Sequence, residues 1–243
     1  MAIVHFPLKL TARRMIAPSV AHLSFRRDDG QPLDYVPGQF IQVHFAYADG
    51  SPARRSYSLA TIHDHALGAG ETVEIAVSYV PGGAATALFE GLPIDGTIDA
   101  SGPYGRFCLM DADANARYLL IATGTGVTPY RAMLPQIGKL IAQRGCRFVL
   151  LYGARNEQEL LYGEEFDAFA RGHDGFDFHP CFSRGARAAP RAHDRLGYVQ
   201  AVLPEFEPDA QHDIAYLCGN PAMVDAAFNV LKDAGLPVQH IRR

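Results

Sequence analysis

Two glycine turns and two clusters of hydroxyl and guanidinium groups carry the chemistry this sequence can do. The stretch IATGTGVTP, residues 121–129, runs from an apolar segment through Gly124, Thr125 and Gly126 to Pro129. The glycines let backbone approach a phosphate closely, and a helix opened by Pro129 offers free N–H groups and partial positive charge to an anion. That is the arrangement of a dinucleotide pyrophosphate site at the carboxyl end of a parallel strand. Pro129 stands where the third glycine of G-x-G-x-x-G would be, so a tight turn without a ligand is the alternative. YLCGNPAMV, residues 216–224, repeats the pattern and sets Cys218 and Gly219 at a second strand end. Two such turns in one parallel sheet can line a single crevice. The plainer reading of Cys218 is a buried apolar thiol.

Ser183 and Arg184 directly follow a third apolar segment, FDFHPCF. A hydroxyl beside a guanidinium suits a phosphate monoester such as the 2′-phosphate of NADP, whereas an NAD site favours an acidic residue on the ribose diol. Neither Asp nor Glu stands at this strand end. The alternative is a solvated basic loop. Nearer the start, RRSYSLAT, residues 54–61, orders Arg55, Ser56, Tyr57 and Ser58 in a way that packing alone does not require. Arg55 can pair with a phosphate, Tyr57 can lie against an aromatic ring, and Ser58 can hydrogen-bond a ring nitrogen. Together these describe a flavin nucleotide; an edge strand with paired surface residues is the bland alternative. Gly82, Gly83 and Thr86 in YVPGGAATALF supply another helix N-terminus suited to phosphate.

Around these groups the chain divides into two rhythms. Up to about residue 110 it reads as all-β, with strands in FPLKLTARRMI, VAHLSFRR, GQFIQVHFAY, RRSYSLAT and ETVEIAVSYV, separated by turn signals. Strands at this spacing suggest a small barrel, interrupted by a short helix in AATALFEGLP. MDADANARY, residues 110–118, is a polar linker. Beyond it apolar strands alternate with helices, which implies a parallel sheet covered on both faces. Pro135 inside PYRAMLPQIGKLIAQRG calls for a kink or break. The expected fold is therefore two-domain: an N-terminal antiparallel β-barrel, residues 1–110, followed by an α/β parallel-sheet nucleotide-binding domain, residues 116–243.

The totals narrow the class. With 243 residues, 48% apolar and 20% charged, the chain is globular. A net charge of −4 does not suggest nucleic-acid binding, and no apolar run suggests a membrane span. The start lacks the apolar core of a signal peptide, so a cytoplasmic location is expected. Cys108, Cys146, Cys181 and Cys218 lie far apart, without the spacing of a disulfide framework or an iron–sulfur cluster. Redox chemistry here needs a bound organic cofactor or a separate partner.

RRSYSLAT, GGAAT, GPYGRF, IATGTGVTP and YLCGNPAMV occur in the order typical of the ferredoxin–NADP(H) reductase family, which the chain resembles over nearly its whole length. The resemblance implies a flavin, FAD rather than FMN, held by Arg55, Ser56, Tyr57, Ser58, Val77, Gly82, Gly83 and Thr86. It implies that NADP(H) is bound by Gly124, Thr125, Gly126, Gly219 and Met223, with Arg155 assisting the phosphate and Ser183 and Arg184 on the 2′-phosphate. Hydride then passes between nicotinamide and flavin rings stacked at about 3–3.5 Å, with Ser58 and Cys218 flanking the contact. The implied partner is a separate ferredoxin or flavodoxin, and the chain is expected to act as a monomer, with no metal of its own. An oxygenase reductase component, a free-flavin reductase and a non-catalytic nucleotide-sensing module are the alternatives.

Many family members end in an aromatic residue stacked on the flavin, whereas this sequence ends PVQHIRR; the nicotinamide face is then open, or covered by His240 or a second copy. His63 with His65, and His173 with His179, read as surface loops rather than metal sites. Glu164 and Glu165 suit a first helical turn. Arg13–Arg14, Arg26–Arg27 and Arg242–Arg243 read as solvated pairs, or as a docking patch for an acidic ferredoxin.

Overall fold

The computed structural model describes residues 4–63, 67–68 and 70–243. It divides into two compact units: Met1–Cys108 with Arg131–Met133, and Leu109–Tyr130 with Leu134–Arg243.

In the first unit, alternation of apolar and polar residues builds six antiparallel strands: β1 (Val4–Ala17), β2 (Val20–Arg27), β3 (Phe40–Ala46), β4 (Pro52–Ser58), β5 (Val73–Ser78) and β6 (Thr97–Tyr104). Their order is β4-β3-β6-β1-β2-β5. Strands β1, β3, β5 and β6 turn apolar side chains into a common core, as Phe6, Leu8 and Leu10, Ile41 and Val43, Ile75 and Val77, and Ile98 and Ala100 show. The end strands meet where Leu59 bridges Ile75 and the Ala60 N–H donates to the Glu74 carbonyl at 2.8 Å, so the sheet closes into a barrel. Helix α1 (Ala84–Gly91) packs Phe89 into the barrel core. The carbonyls of Phe89 and Leu92 at its C-terminal end accept from the guanidinium of Arg13, a cation placed where the helix dipole favours one.

Strand β6 was not among the expected strands, although it lies between β3 and β1. TIDASGPY looks like a turn because Asp99, Ser101, Gly102 and Pro103 are poor strand formers. Ile98 and Ala100 face the core, and Pro103 lies beyond Gly102, the last residue of its ladder with β1, where its missing N–H costs nothing.

The second unit holds a six-stranded parallel sheet ordered β10-β9-β8-β7-β11-β12. Its strands are β7 (Arg117–Thr123), β8 (Arg147–Ala154), β9 (Phe176–Phe182), β10 (Arg195–Leu196), β11 (Asp213–Cys218) and β12 (Ile241–Arg242). In β7 the residues from Tyr118 to Ala122 are fully buried, as expected of a strand covered on both faces. Helices α2 (Thr128–Arg144), α3 (Gly163–Gly172), α4 (Val199–Val202) and α5 (Pro221–Asp233) connect the strands. The chain runs outward from β7 to β10 and then returns to place β11 on the other side of β7. That reversal is the switch point at which such sheets open a crevice.

Of the kink or break expected at Pro135 the break does not occur: α2 runs unbroken from Thr128 to Arg144 and ends at Gly145 in a left-handed conformation, φ 63°. Pro135 removes one N–H, but Met133, Leu134 and Ile137 around it are buried and hold the helix in place.

Candidate functional site

In the first unit an open cleft of about 1070 Å³ lies between the end of β3 and the start of α1. Phe45, Tyr47, Gly82, Gly83 and Thr86 help to line it. Strand β4 stands at one end of the strand order, where the barrel closes, and Arg55 has no carboxylate partner among the described residues. Its guanidinium donates to the Tyr47 hydroxyl at 3.0 Å and the Arg54 carbonyl at 2.8 Å. The charge is thus held near the cleft through a wall residue and stays unneutralised. Gly83 caps α1, which has no side-chain cap hydrogen bond among the described residues. Gly82 has φ 72° and open space where a Cβ would project. The Thr86 hydroxyl accepts the Val80 N–H at 2.8 Å, which leaves its own proton to donate. A guanidinium, an uncapped helix start and a hydroxyl make a donor set that fits the phosphates of a flavin dinucleotide.

Of the other barrel residues singled out from the sequence, Tyr57 is half-buried and meets the Phe89 ring edge-on at 5.4 Å. Burial pushes its phenol up to about 12, so it stays neutral. Ser58, at the end of β4, is half-buried and Ser56 is exposed. Val77 lies with its side chain in the barrel core, so it can offer a ligand backbone only.

In the second unit the two glycine turns interlock at the switch point. A Cβ on Gly126 would lie 2.2 Å from the Cys218 carbonyl oxygen and 2.5 Å from Gly219 Cα. A Cβ on Gly219, φ 145°, would lie 2.4 Å from Thr123 Oγ1. The Thr123 hydroxyl accepts the Asn220 N–H at 3.0 Å, and Asn220 caps α5 by accepting the Ala222 N–H at 2.9 Å. The Gly124 carbonyl accepts from the Tyr152 hydroxyl at 3.1 Å, while the φ of 53° at Gly124 leaves open space on its Cβ side. Thr128, at the first position of α2, is 2% exposed and its hydroxyl has no partner among the described residues. A buried hydroxyl without a partner beside a glycine turn fits a site that a polar ligand completes. Thr123 and Thr128 were missed from the sequence because a threonine in a turn gives no signal until its neighbours are known.

Cys218 ends β11 and is partly exposed. Burial pushes its thiol up to about 11, so at neutral pH it is an uncharged contact rather than a nucleophile. Met223 is buried in the core under α5. Ser183 and Arg184 follow β9 and extend its pairing, their N–H groups donating to the carbonyls of Ala154 and Arg155 at 3.0 and 2.9 Å. Arg155 is paired with Glu159 at 2.5 Å. Arg184 is exposed, and on the segment after β9 it alone lacks a carboxylate partner among the described residues: Arg187 and Arg191 bind Asp167, and Arg195 lies 3.5 Å from Glu205.

Several other expectations are corrected. His240 cannot cover the end of β11. Ile241 pairs with Ala215, so His240 stands level with Ile214, four residues or about 13 Å along the strand from Cys218. His179 is buried in β9, 6% exposed, rather than in a surface loop. His173 stacks on Phe169, and among the described residues no group of His, Cys, Asp and Glu could hold a metal. His65 lies outside the described residues. The arginine pairs are mostly occupied: Arg27 binds Asp29, Arg242 binds Asp113 and the Tyr216 hydroxyl, and Arg243 binds Asp225, in addition to Arg13 on α1. Three of those six arginines are paired with carboxylates, so a docking patch built from them loses half of its free charge. Glu164 lies in the first turn of α3 as expected and also binds Arg191.

A closed antiparallel barrel followed by a doubly wound sheet, each with a helix start that lacks a side-chain cap among the described residues and suits an anion, is the architecture of a two-domain oxidoreductase for a flavin and a nicotinamide nucleotide. Residues 7–108 match the oxidoreductase FAD-binding domain and residues 120–228 the oxidoreductase NAD-binding domain. The chain is 34% identical to ferredoxin–NADP reductase B of Sorangium cellulosum, over 97% of this chain and 95% of that protein. It is also 34% identical to the aromatic O-demethylase reductase subunit of an Amycolatopsis species, over 88% of this chain but only 61% of that one. Among solved structures, the Amycolatopsis cytochrome P450 reductase GcoB superposes with a TM-score of 0.84 at 28% identity, covering 99% of this chain and 69% of that chain. This chain belongs to the ferredoxin–NADP reductase family, with an FAD-binding and an NAD-binding oxidoreductase domain. No helix among the described residues is long and apolar enough to cross a membrane.

Proposed function

We propose that this protein is an NADPH-dependent flavoenzyme that trades electrons with a separate ferredoxin- or flavodoxin-type protein. The observation that carries the nucleotide choice is Arg184, the one arginine after β9 without a carboxylate among the described residues, next to the Ser183 hydroxyl. Similarity to a ferredoxin–NADP reductase over 95% of its length supports the partner class.

A bound flavin supplies the chemistry: it exchanges hydride with nicotinamide and passes electrons on singly. The chain binds and orients. Arg55, Gly82, Gly83 and Thr86 hold the flavin phosphates, Tyr57 lies against its aromatic part, and Ser56, Ser58 and the backbone of Val77 complete the contact. Gly124, Thr125 and Gly126 take the nucleotide pyrophosphate on backbone N–H groups, with the Thr128 hydroxyl as a further donor. Gly219 and Cys218 border the nicotinamide, while Met223 supports their turn from the core. Ser183 and Arg184 hold the 2′-phosphate, with Arg155 assisting when Glu159 releases it. Residues 1–110 act as the flavin domain and 116–243 as the nucleotide domain, in a cytoplasmic monomer whose proposed site residues all come from one chain.

A second reading is a reductase serving an oxygenase. Reductase components of propane 2-monooxygenase and phenol 2-monooxygenase are each 31% identical to this chain, which spans 54% and 60% of their lengths. The test is an anaerobic titration of the purified protein, followed by acceptor assays. Bleaching of the flavin band faster with NADPH than with NADH, with Arg184→Ala removing that preference, supports the proposal. Equal loss of both nucleotides in Arg184→Ala overturns the 2′-phosphate assignment. Reduction of an oxygenase component but of no ferredoxin or flavodoxin favours the second reading.

A further inference from the structure

The segment from Ser183 to Asp194 has almost no regular structure, and ten of its twelve residues follow Arg184. A basic, alanine-rich loop of this kind would ordinarily be mobile in solvent. Here it is tied down by Arg187, whose side chain is 2% exposed. The Arg187 guanidinium donates to Asp194 at 3.1 Å and to Asp167 of α3 at 3.0 Å, and lies 3.7 Å from Glu164. Arg191 binds the same two acids of α3, and its N–H donates to Asp194 at 2.9 Å. The Ala188 N–H donates to Glu157 at 3.1 Å. Arg187 therefore fastens both ends of the loop's turn to α3, three residues beyond Arg184.

A buried arginine among three carboxylates is an expensive way to hold a loop, since an apolar plug of similar size would often be at least as stable. What a charge network adds is a fixed geometry. Between the backbone anchor at Arg184, whose N–H is bound to the Arg155 carbonyl, and the buried Arg187 lie only Gly185 and Ala186. Holding Arg187 therefore limits where the Arg184 guanidinium can go. The same network absorbs the loop's other cations, so Arg184 is presented as a single free charge. Ordering a cation before its ligand arrives removes an entropic cost from binding.

We infer that Arg187 is a positioning residue for nucleotide choice: through its carboxylate network it holds Arg184 at the 2′-phosphate and thereby sets the preference for NADPH over NADH. The inference rests on the 2′-phosphate reading of Arg184 and adds a residue that never touches the nucleotide.

The experiment uses the full-length flavin-loaded protein and two readouts. One is calorimetric affinity for 2′,5′-ADP against 5′-AMP; the other is kcat and KM for NADPH and NADH. The variants are Arg184→Ala, Arg187→Met and the milder Asp194→Asn, which removes one carboxylate if Arg187→Met folds poorly. Arg187→Met is expected to weaken 2′,5′-ADP about tenfold, the scale of one charge-assisted phosphate contact. 5′-AMP affinity, NADH kinetics and NADPH kcat should stay within about twofold, so that the change falls on KM for NADPH, and Asp194→Asn should shift the ratio in the same direction. If Arg184→Ala discriminates between the two ligands while Arg187→Met and Asp194→Asn bind both like the wild type, the positioning role is wrong and the Arg184 assignment stands. If both Arg187→Met and Asp194→Asn weaken the ligands equally, the network is merely structural and the inference is likewise overturned. If Arg184→Ala itself fails to discriminate, the underlying reading falls and the inference falls with it.

Discussion

Gly126→Ala is the smallest change that should disable the nucleotide crevice. The added methyl would lie 2.2 Å from the carbonyl oxygen and 2.4 Å from the carbonyl carbon of Cys218, and 2.5 Å from Gly219 Cα. All three are backbone atoms, so no side chain can rotate away. The turns after β7 and β11 must separate by roughly 0.8 Å, the difference between 2.2 Å and the 3.0 Å that real Cβ contacts respect. They are stitched together by the Asn220 N–H on Thr123 Oγ1 at 3.0 Å, a bond that such a shift stretches past useful length. Overpacking of this kind costs about 1–3 kcal/mol, and at about 2–4 °C per kcal/mol for a chain of this size the melting midpoint should fall by several degrees. A displacement near 1 Å also costs on the order of a hundredfold in function. Affinity for NADPH and for NADH should therefore fall together, while flavin content stays that of the wild type. Calorimetric nucleotide titration, differential scanning and the visible flavin band measure the three effects. A variant with wild-type nucleotide affinity and an unchanged midpoint would refute the claim that the two turns are in obligatory contact.

Two further outcomes are expected. Arg55→Ala should raise the FAD dissociation constant about 10–100-fold, the worth of one hydrogen bond to a charged group, with little change in apo-protein stability because Arg55 is exposed; a variant that keeps flavin through dialysis as well as the wild type would remove Arg55 from the site. Burial, and then the nearby Arg195 and His193, lower His179 from 6.5 to about 4, so the unfolded chain gains its proton first as pH falls. Stability should be full above pH 6.5 and decline toward pH 4, by about 2 kcal/mol between pH 7 and pH 5. Urea unfolding at the two pH values checks this, and an identical decline in His179→Gln would assign it elsewhere.

The features legible in the sequence share one property: their cause is local. The glycine turns at Gly124–Gly126 and Gly219 sit between an apolar run and a proline-started helix, and both appear in the structure as strand, turn and helix. The switch from alternating to continuous apolar runs separates the antiparallel sheet from the parallel one for the same reason. What escaped depends on neighbours distant in the chain. Strand β6 is a strand because β1 and β3 flank it, against the propensity of its own Asp, Gly and Pro. Tyr47 becomes a support for Arg55 only because β3 and β4 pair in register, with the loop after β3 folding back. Arg184 and Arg187 are alike as letters, and only the carboxylates of α3 show which one is free and which is spent in the fold.

The two anion sites proposed here rely on different physics, which separates affinity from choice. In the barrel the main charge is the exposed Arg55, whose attraction for phosphate is screened by salt. In the sheet the pyrophosphate meets backbone N–H groups held by interlocked glycines, which neither titrate nor move. NADPH and NADH carry the same pyrophosphate, so such a turn binds both and cannot tell them apart. Discrimination must come from the 2′-position, where the two differ by a phosphate. A hydroxyl and a single unneutralised guanidinium suffice there if they are fixed in place. Substitutions in the glycine turns should therefore lower both nucleotides in proportion, whereas substitutions at Ser183, Arg184 or the network behind them should change their ratio.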